Sequence, residues 1–402
     1  LTHTASAEVS LGEVGGWEAF TTGRVNAFIS YISGDGFPVA PVTDPGRTYV
    51  PGGGLPSTKD RIPEFDANDM PIAGKAGTIS KWRVRSGYIP NVLGLGVRSQ
   101  VSEDLKISGF LGIWGTIESE GLRKYTTVEA DFHEATMKLE GSWGSVTAGR
   151  TLSLYSRGIT EVELLYGHGY GVGYQAGAFD LGPTGGLVGF GVLAASYNPG
   201  LYYTTPSLGG LAINIGVFDA VKLSSEWGRT DTPRPEAEIT YDMDSGDFKL
   251  HVFANGAFQK VYKENNAKDD ETLLGVGGGL RLEVGPFHLG GGGHYGRGLG
   301  MFYAFDESAG VGKGSAGAAS VLTGPGAGLN PVTMEELKPN ELRTFDGFSV
   351  FAQYAHENFD INLGFGQSRA HQLEVDKVLP ASLIKTQTGV SAGFVYHVSK
   401  NL

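Results

Sequence analysis

Residues 131–150, DFHEATMKLEGSWGSVTAGR, alternate apolar and polar side chains, turn at Gly141-Ser142-Trp143-Gly144 and alternate again. A period of two puts successive side chains on opposite faces of a strand, so two consecutive strands here each carry one apolar and one polar face. GRVNAFISYISGDG repeats the pattern, with Val25, Ala27, Ile29 and Tyr31 against Arg24, Asn26 and Ser30. TISKWRVRSG does so too, with Trp82 and Val84 against Lys81, Arg83 and Arg85 and a slip before Lys81. DLKISGFLGIWG, GLYYTTP, GLAINIGVF, PEAEITYD, FKLHVFANGAF, TLLGVGGGLRLEV, FHLGGGGHYG, GFSVFAQYA, FDINLGFGQ and TGVSAGFVYHVS complete fourteen legible strands.

The links between these strands alternate in length. Ser102–Asp104, Gly141–Gly144, Ser207–Gly209, Asp244–Gly246, Gly285–Pro286 and His356–Asn358 read as tight turns. The links at 34–78, 118–129, 152–198, 220–234, 260–271, 300–345 and 369–386 are long and rich in Gly, Pro and Asp. That asymmetry fits a membrane barrel with short turns at one end and long loops at the other. The faces assigned inward carry Arg83, Arg85, Glu134, Lys138, Glu236, Glu238, Asp242 and Lys249. A dry core would leave such charges unpaired, whereas a water-filled lumen accepts them. On the outer faces Phe20, Tyr31, Trp82, Tyr241, Phe258, Tyr354, Phe359 and Tyr396 sit near strand ends, as interfacial aromatic girdles do. A helical crossing is excluded, because the longest uncharged stretch, 181–218, is broken by Pro183, Pro199 and Pro206.

Other classes of function fall away on composition and spacing. A net charge of -12 with scattered Lys and Arg lacks the footprint of a nucleic-acid binder. The absence of cysteine removes thiolate metal sites and thiol nucleophiles. No histidine pair has helical zinc spacing, and His288 and His294 merely flank a glycine run on one strand. The glycine-rich GVGGGL and GGGGHYG lack the strand-to-helix setting and the following Lys-Ser or Lys-Thr of a phosphate cradle; they are expected to mark strands packed at a subunit interface or bent around a barrel. Ser391 and His397 share a strand face beyond hydrogen-bond reach. No catalytic constellation, metal or cofactor is therefore expected.

The chain resembles the general diffusion porins of Gram-negative outer membranes. DFHEATMKLEGSWGSVTAGR is similar to the family's strand, turn and strand ending in Gly-Arg before the inward-folded third loop. ASYNPGLYYTTPSLGG is similar to the segment where that loop rejoins the wall, and WEAFTTGRVNAFISY resembles the first strand. The resemblance implies an all-β, antiparallel transmembrane barrel of sixteen strands. It implies one domain over residues 1–402, a homotrimer in contact with outer-membrane lipid and lipopolysaccharide, and passive diffusion of small hydrophilic solutes and ions.

By the same resemblance, residues 152–198 fold into the barrel as a constriction. Glu161, Glu163 and Asp180 are then its acids, facing a basic wall of Arg24, Arg83, Arg85 and Arg150, while Asn198 stands where many members carry a further arginine. Alternation puts Arg150 on the face of Val146 and Ala148, so its inward placement requires a backbone departure at Gly149. Two other readings stay open: a substrate-selective barrel with a binding track, and a non-transport β-barrel such as an adhesin. The inward aromatics Phe28, Phe110, Trp114 and Phe253 are too spread to form a continuous track. Because HVSKNL follows only fourteen legible strands, two more, on the order of 30 residues, are expected beyond it. An intact mass of 42.4 kDa would contradict that expectation.

Overall fold

A computed structural model describes residues 8–35, 63–68, 71–85, 91–115, 131–165, 186–221, 229–263, 266–298, 342, 344–371 and 386–398. The chain begins with β1 (Val9–Val14), β2 (Trp17–Arg24), β3 (Phe28–Asp35), β4 (Pro63–Phe65), β5 (Pro71–Ala76) and β6 (Thr78–Arg85). It continues through β7 (Asn91–Ser102), β8 (Leu105–Gly115), β9 (Asp131–Gly141), β10 (Gly144–Leu152) and one helix, α1 (Leu154–Val162). Then come β11 (Tyr197–Thr204), β12 (Leu211–Phe218), β13 (Arg234–Asp244), β14 (Phe248–Lys263) and β15 (Asn266–Val284). The last are β16 (Phe287–Arg297), β17 (Thr344–Ala355), β18 (Phe359–Ala370) and β19 (Thr386–Tyr396).

Among the described residues, fifteen strands form the antiparallel barrel wall in the order β1, β2, β7 and then β8 through β19 in sequence. Period-two patterning makes this possible, since each strand presents one face to lipid and one to the interior. On β13, Arg234, Glu236 and Glu238 are buried inside while Ile239 and Tyr241 are exposed outside. Register carries the same faces to β12 and β14, where Asn214 and Asn255 stand beside Glu238. Among the described residues no helix is long and apolar enough to cross a membrane.

The strand pattern needs correcting, and with β3 and β6 off the wall Tyr31 and Trp82 do not belong to its aromatic girdle. TISKWRVRSG is not a wall strand: β6 pairs with β3 in a separate two-stranded sheet, continuing the β2–β7 hairpin beyond the wall. The wall strands there are β2 and β7; Asn91–Ser102, missing from the strands read above, alternates with Leu93, Leu95 and Val97 out and Gly94 and Gly96 in. The link at 260–271 is mostly strand, because β14 runs to Lys263 and β15 begins at Asn266. Phe20 does not face lipid; it lies with Glu18 on the inner face, 4.8 Å beneath the Arg98 guanidinium.

The buried apolar core lies inside the barrel. Tyr155, Ile159, Val162, Leu165, Leu187 and Val192 pack on Phe253, Ala257, Leu273, Phe345 and Phe351 of β14, β15 and β17. Each such side chain contributes about 1.5–3 kcal/mol relative to exposure.

Candidate functional site

The interior segment is built around α1, whose sequence LYSRGITEV has two unlike faces. Leu154, Tyr155, Ile159 and Val162 recur at helical spacing and are buried against the wall. Arg157 and Glu161, four residues apart on the other face, form an ion pair with Nε and Oε1 separated by 3.5 Å. Nine residues make a helix that is marginal in isolation. The wall completes it: Ser153 makes no side-chain cap, and Glu236 Oε2 instead accepts the Tyr155 backbone N–H at 2.9 Å. A carboxylate at a helix N-terminus also meets the positive end of the dipole.

Around this cap runs a ladder of charges. Arg234 Nε donates to Glu236 Oε1 at 2.7 Å, with both side chains fully buried. Glu238 accepts a short hydrogen bond from Arg157 Nη2 and another from Asn214 Nδ2 at 3.2 Å. Glu161 Oε2 lies 3.5 Å from His251 Nε2, and His251 Nδ1 is 2.7 Å from Asp242 Oδ1. Burial works against the charge on Arg157, but Glu238 and Glu161 beside it raise its pKa above the usual value. Burial likewise opposes ionisation of Glu161, yet His251 and Arg157 together hold its carboxyl below the usual range.

Wall glycines make room for the segment. A Cβ on Gly290 would stand 2.2 Å from the Val162 carbonyl oxygen, and one on Gly366 1.9 Å from that of Phe190. Within the glycine runs, Gly290 and Gly292 serve close approach of the segment inside the lumen.

The expected site residues meet different fates. Arg24 stands on the inner face of β2, sharing it with Glu18 and Thr22. The backbone of Arg83 and Arg85 runs in β6, off the main sheet, and their side chains fall outside the described part. Gly149 has φ 124, yet β10 keeps unbroken register with β9 and β11 around it, so Arg150, paired with Ala135 and Pro199, stays on the outward face of Met137 and Leu201 instead of the expected basic wall; it is exposed and donates Nε–H to the His133 carbonyl at 2.9 Å. Glu161 is brought into the ladder. Glu163 is not an acid facing the opposite wall: it is buried, and its Oε1 accepts the Leu187 N–H at 2.9 Å, clipping the two legs of the segment together. Burial pushes the Glu163 carboxyl up to about 8. Asp180 lies outside the described residues.

Arg157, Arg234, Glu236, Glu238 and His251 belong to the site and were not singled out as its residues. One signal was readable in RPEAE, which puts Arg234, Glu236 and Glu238 on one strand face. The opposite wall is more open. Lys106 is exposed, and Arg98, Phe110, Glu134 and Lys138 are half-buried on the inner faces of β7, β8 and β9.

A lined interior, an inward segment and an apolar exterior define a channel-forming outer-membrane barrel. The family described as Gram-negative porin matches residues 5–402, and the chain belongs to that family. It is an outer-membrane channel for passive diffusion of small hydrophilic solutes and ions. Among solved structures, the chain is similar to the outer membrane channel DcaP of Acinetobacter baumannii, with TM-score 0.58 and 14% identity over 96% of this chain and 88% of that one. An anion-selective porin from Comamonas acidovorans gives TM-score 0.52 and 15% identity over 93% and 86%. Salmonella typhi OmpF in complex with daunomycin gives 0.50 and 12% over 96% and 87%. No curated protein matches the sequence.

Proposed function

We propose that solutes cross through the part of the lumen left between the inward segment and the inner faces of β2 and β7–β9. The observation that carries this reading is the one-sided docking of the segment: α1 packs on β13–β16, and Phe190 and Gly191 meet β17–β19. Glu161 then forms the acidic edge of the constriction, and Arg24, Arg98, Lys106 and Lys138 form the basic wall. Opposed charges across a narrow aqueous gap orient water and favour polar solutes. Assembly as a homotrimer in contact with outer-membrane lipid and lipopolysaccharide is carried over from the family resemblance.

Planar-bilayer recordings test the reading. The open channel gives an ohmic current, and Glu161→Gln and Lys138→Gln move the reversal potential in opposite directions in a salt gradient. An unchanged potential in both variants would sink it. A binding track is favoured by one observation: Trp114 stacks on His133 at 3.7 Å with Tyr197 edge-on at 4.8 Å to His133. Conductance that saturates with one solute class would favour that second reading.

A further inference from the structure

Glu161, at the edge of the solute path, has one neighbour whose charge can change. Its two carboxylate oxygens meet different groups: Oε1 lies 3.5 Å from Arg157 Nε, and Oε2 lies 3.5 Å from His251 Nε2. Arg157 is permanently charged and already shared with Glu238. His251 is different, because an imidazole gains or loses its charge between about pH 5 and 8.

The other ring nitrogen fixes the tautomer. His251 Nδ1 stands 2.7 Å from Asp242 Oδ1, and an ionised carboxylate can only accept, so Nδ1 carries the hydrogen. In the neutral ring, Nε2 then turns a lone pair toward the Glu161 carboxylate. That nitrogen is buried and has no hydrogen-bond partner among the described residues. A buried acceptor facing an anion is unfavourable until a proton arrives; Nε2–H then donates to Oε2, and the ring becomes a counter-ion.

The other cations nearby are engaged elsewhere. Arg281, the register neighbour of His251 on β15, is 2.7 Å from Glu283, and Lys249, two residues back on β14, is 3.8 Å from Asp244. With His251 neutral, one positive group, Arg157, stands against three carboxylates, Glu161, Glu238 and Asp242. Protonation of His251 supplies a second positive group at the oxygen that Arg157 does not reach.

We propose that His251 is a proton-operated counter-ion of Glu161, which makes the ion preference of the channel follow pH. The proposal rests on the reading of Glu161 as the acidic edge of the solute path. With the imidazole charged, that edge is balanced and anions gain; with it neutral, the Glu161 charge is uncompensated and cations gain. His251 acts through Glu161 and is a positioning residue, oriented by Asp242.

The test uses the full chain in planar bilayers, with reversal potentials recorded in a potassium chloride gradient from about pH 5 to about pH 8. The cation-to-anion permeability ratio should fall as pH drops, with the profile of a single proton. Glu163→Gln, which removes the titration of the segment itself, should keep that profile. His251→Gln should flatten it. Asp242→Asn, which takes the carboxylate from Nδ1, should move its midpoint to lower pH, a shift that a merely structural His251 would not produce. His288→Gln changes an imidazole whose Nδ1 lies 2.7 Å from Gln353 Oε1, not at Glu161, and should leave the profile in place. A flat ratio in the wild type overturns the proposal without any variant having to fold. So does a profile that survives His251→Gln, or one that disappears with His288→Gln. Glu161→Gln separates this from the pore reading: an unmoved potential in that variant counts against the pore reading and this proposal together, whereas a moved potential with a flat wild-type profile overturns this proposal alone.

Discussion

The interior faces of β13–β18 and of β7–β9 belong to one barrel yet are made of different materials. The first bears glycines at Gly290, Gly292, Gly364 and Gly366, apolar side chains such as Phe253 and Phe351, and fully buried charges at Arg234, Glu236 and Glu238. The second bears Arg98, Lys106, Glu134, Lys138 and Glu140, none of them fully buried. The difference teaches that a lumen is not one environment: half of it behaves as a protein core, with the packing and pairing rules of a core, and half as a solvated surface. Charges on the covered half must be paired to be tolerated, whereas those on the open half, although Arg98 pairs with Glu8 and Glu18 and Lys138 with Glu140, keep a solvent-facing surface that solutes can reach.

Breaking the covered half should cost most where it leaves a charge alone. Arg157→Gln strips Glu238 of its guanidinium inside the barrel, a loss of about 3–5 kcal/mol for breaking a buried pair. Hydrogen exchange across 154–162 should rise sharply, and retained protection would contradict the buried-pair account. Gly366→Val comes next. Its Cβ meets the Phe190 carbonyl, and overpacking of about 1–3 kcal/mol should loosen the segment and raise single-channel conductance. Gly109→Ala on the outward face of β8, where a Cβ has no neighbour closer than 3.6 Å, is the control and should leave conductance as it is; comparable effects from both would mean that the Gly366 effect does not come from the segment.

A third test uses protons. Glu163 is protonated in the docked segment, with its pKa raised by burial from 4.5 to about 8. The undocked state therefore releases this proton first as pH rises. The contribution of Glu163 to docking is full below about 4.5, declines as pH rises through about 8, and is flat beyond. Limited proteolysis of the segment should accelerate over that window in the wild type and lose this dependence in Glu163→Gln. The smallest effect belongs to the open half, where Lys138→Gln should shift the reversal potential by a few millivolts toward cations without altering segment protection.

Much of this architecture was legible because strands announce their faces locally. DFHEATMKLEGSWGSVTAGR reads directly as β9, turn and β10, with Lys138 and Glu140 inside and Met137 outside. The inward position of residues after Leu152 came from resemblance, and Glu161 with it. What stayed hidden depends on contacts far apart in sequence: Arg157 meets Glu238 across 81 residues. Glu163 was misplaced because the local helix was not foreseen; two residues along a helix turn a side chain to nearly the opposite side, from His251 toward the core. The glycine runs did carry a usable signal. Gly290 and Gly292 stand two positions apart, which places them on one face, and a face without side chains invites another backbone, here that of Val162.

The carboxylate that finishes the first turn of α1 is supplied by β13, 81 residues further along the chain. The segment therefore cannot complete its own helix, and the constriction is an outcome of wall completion: a lesion at Glu236 that leaves the wall closed would leave a wider, leakier channel.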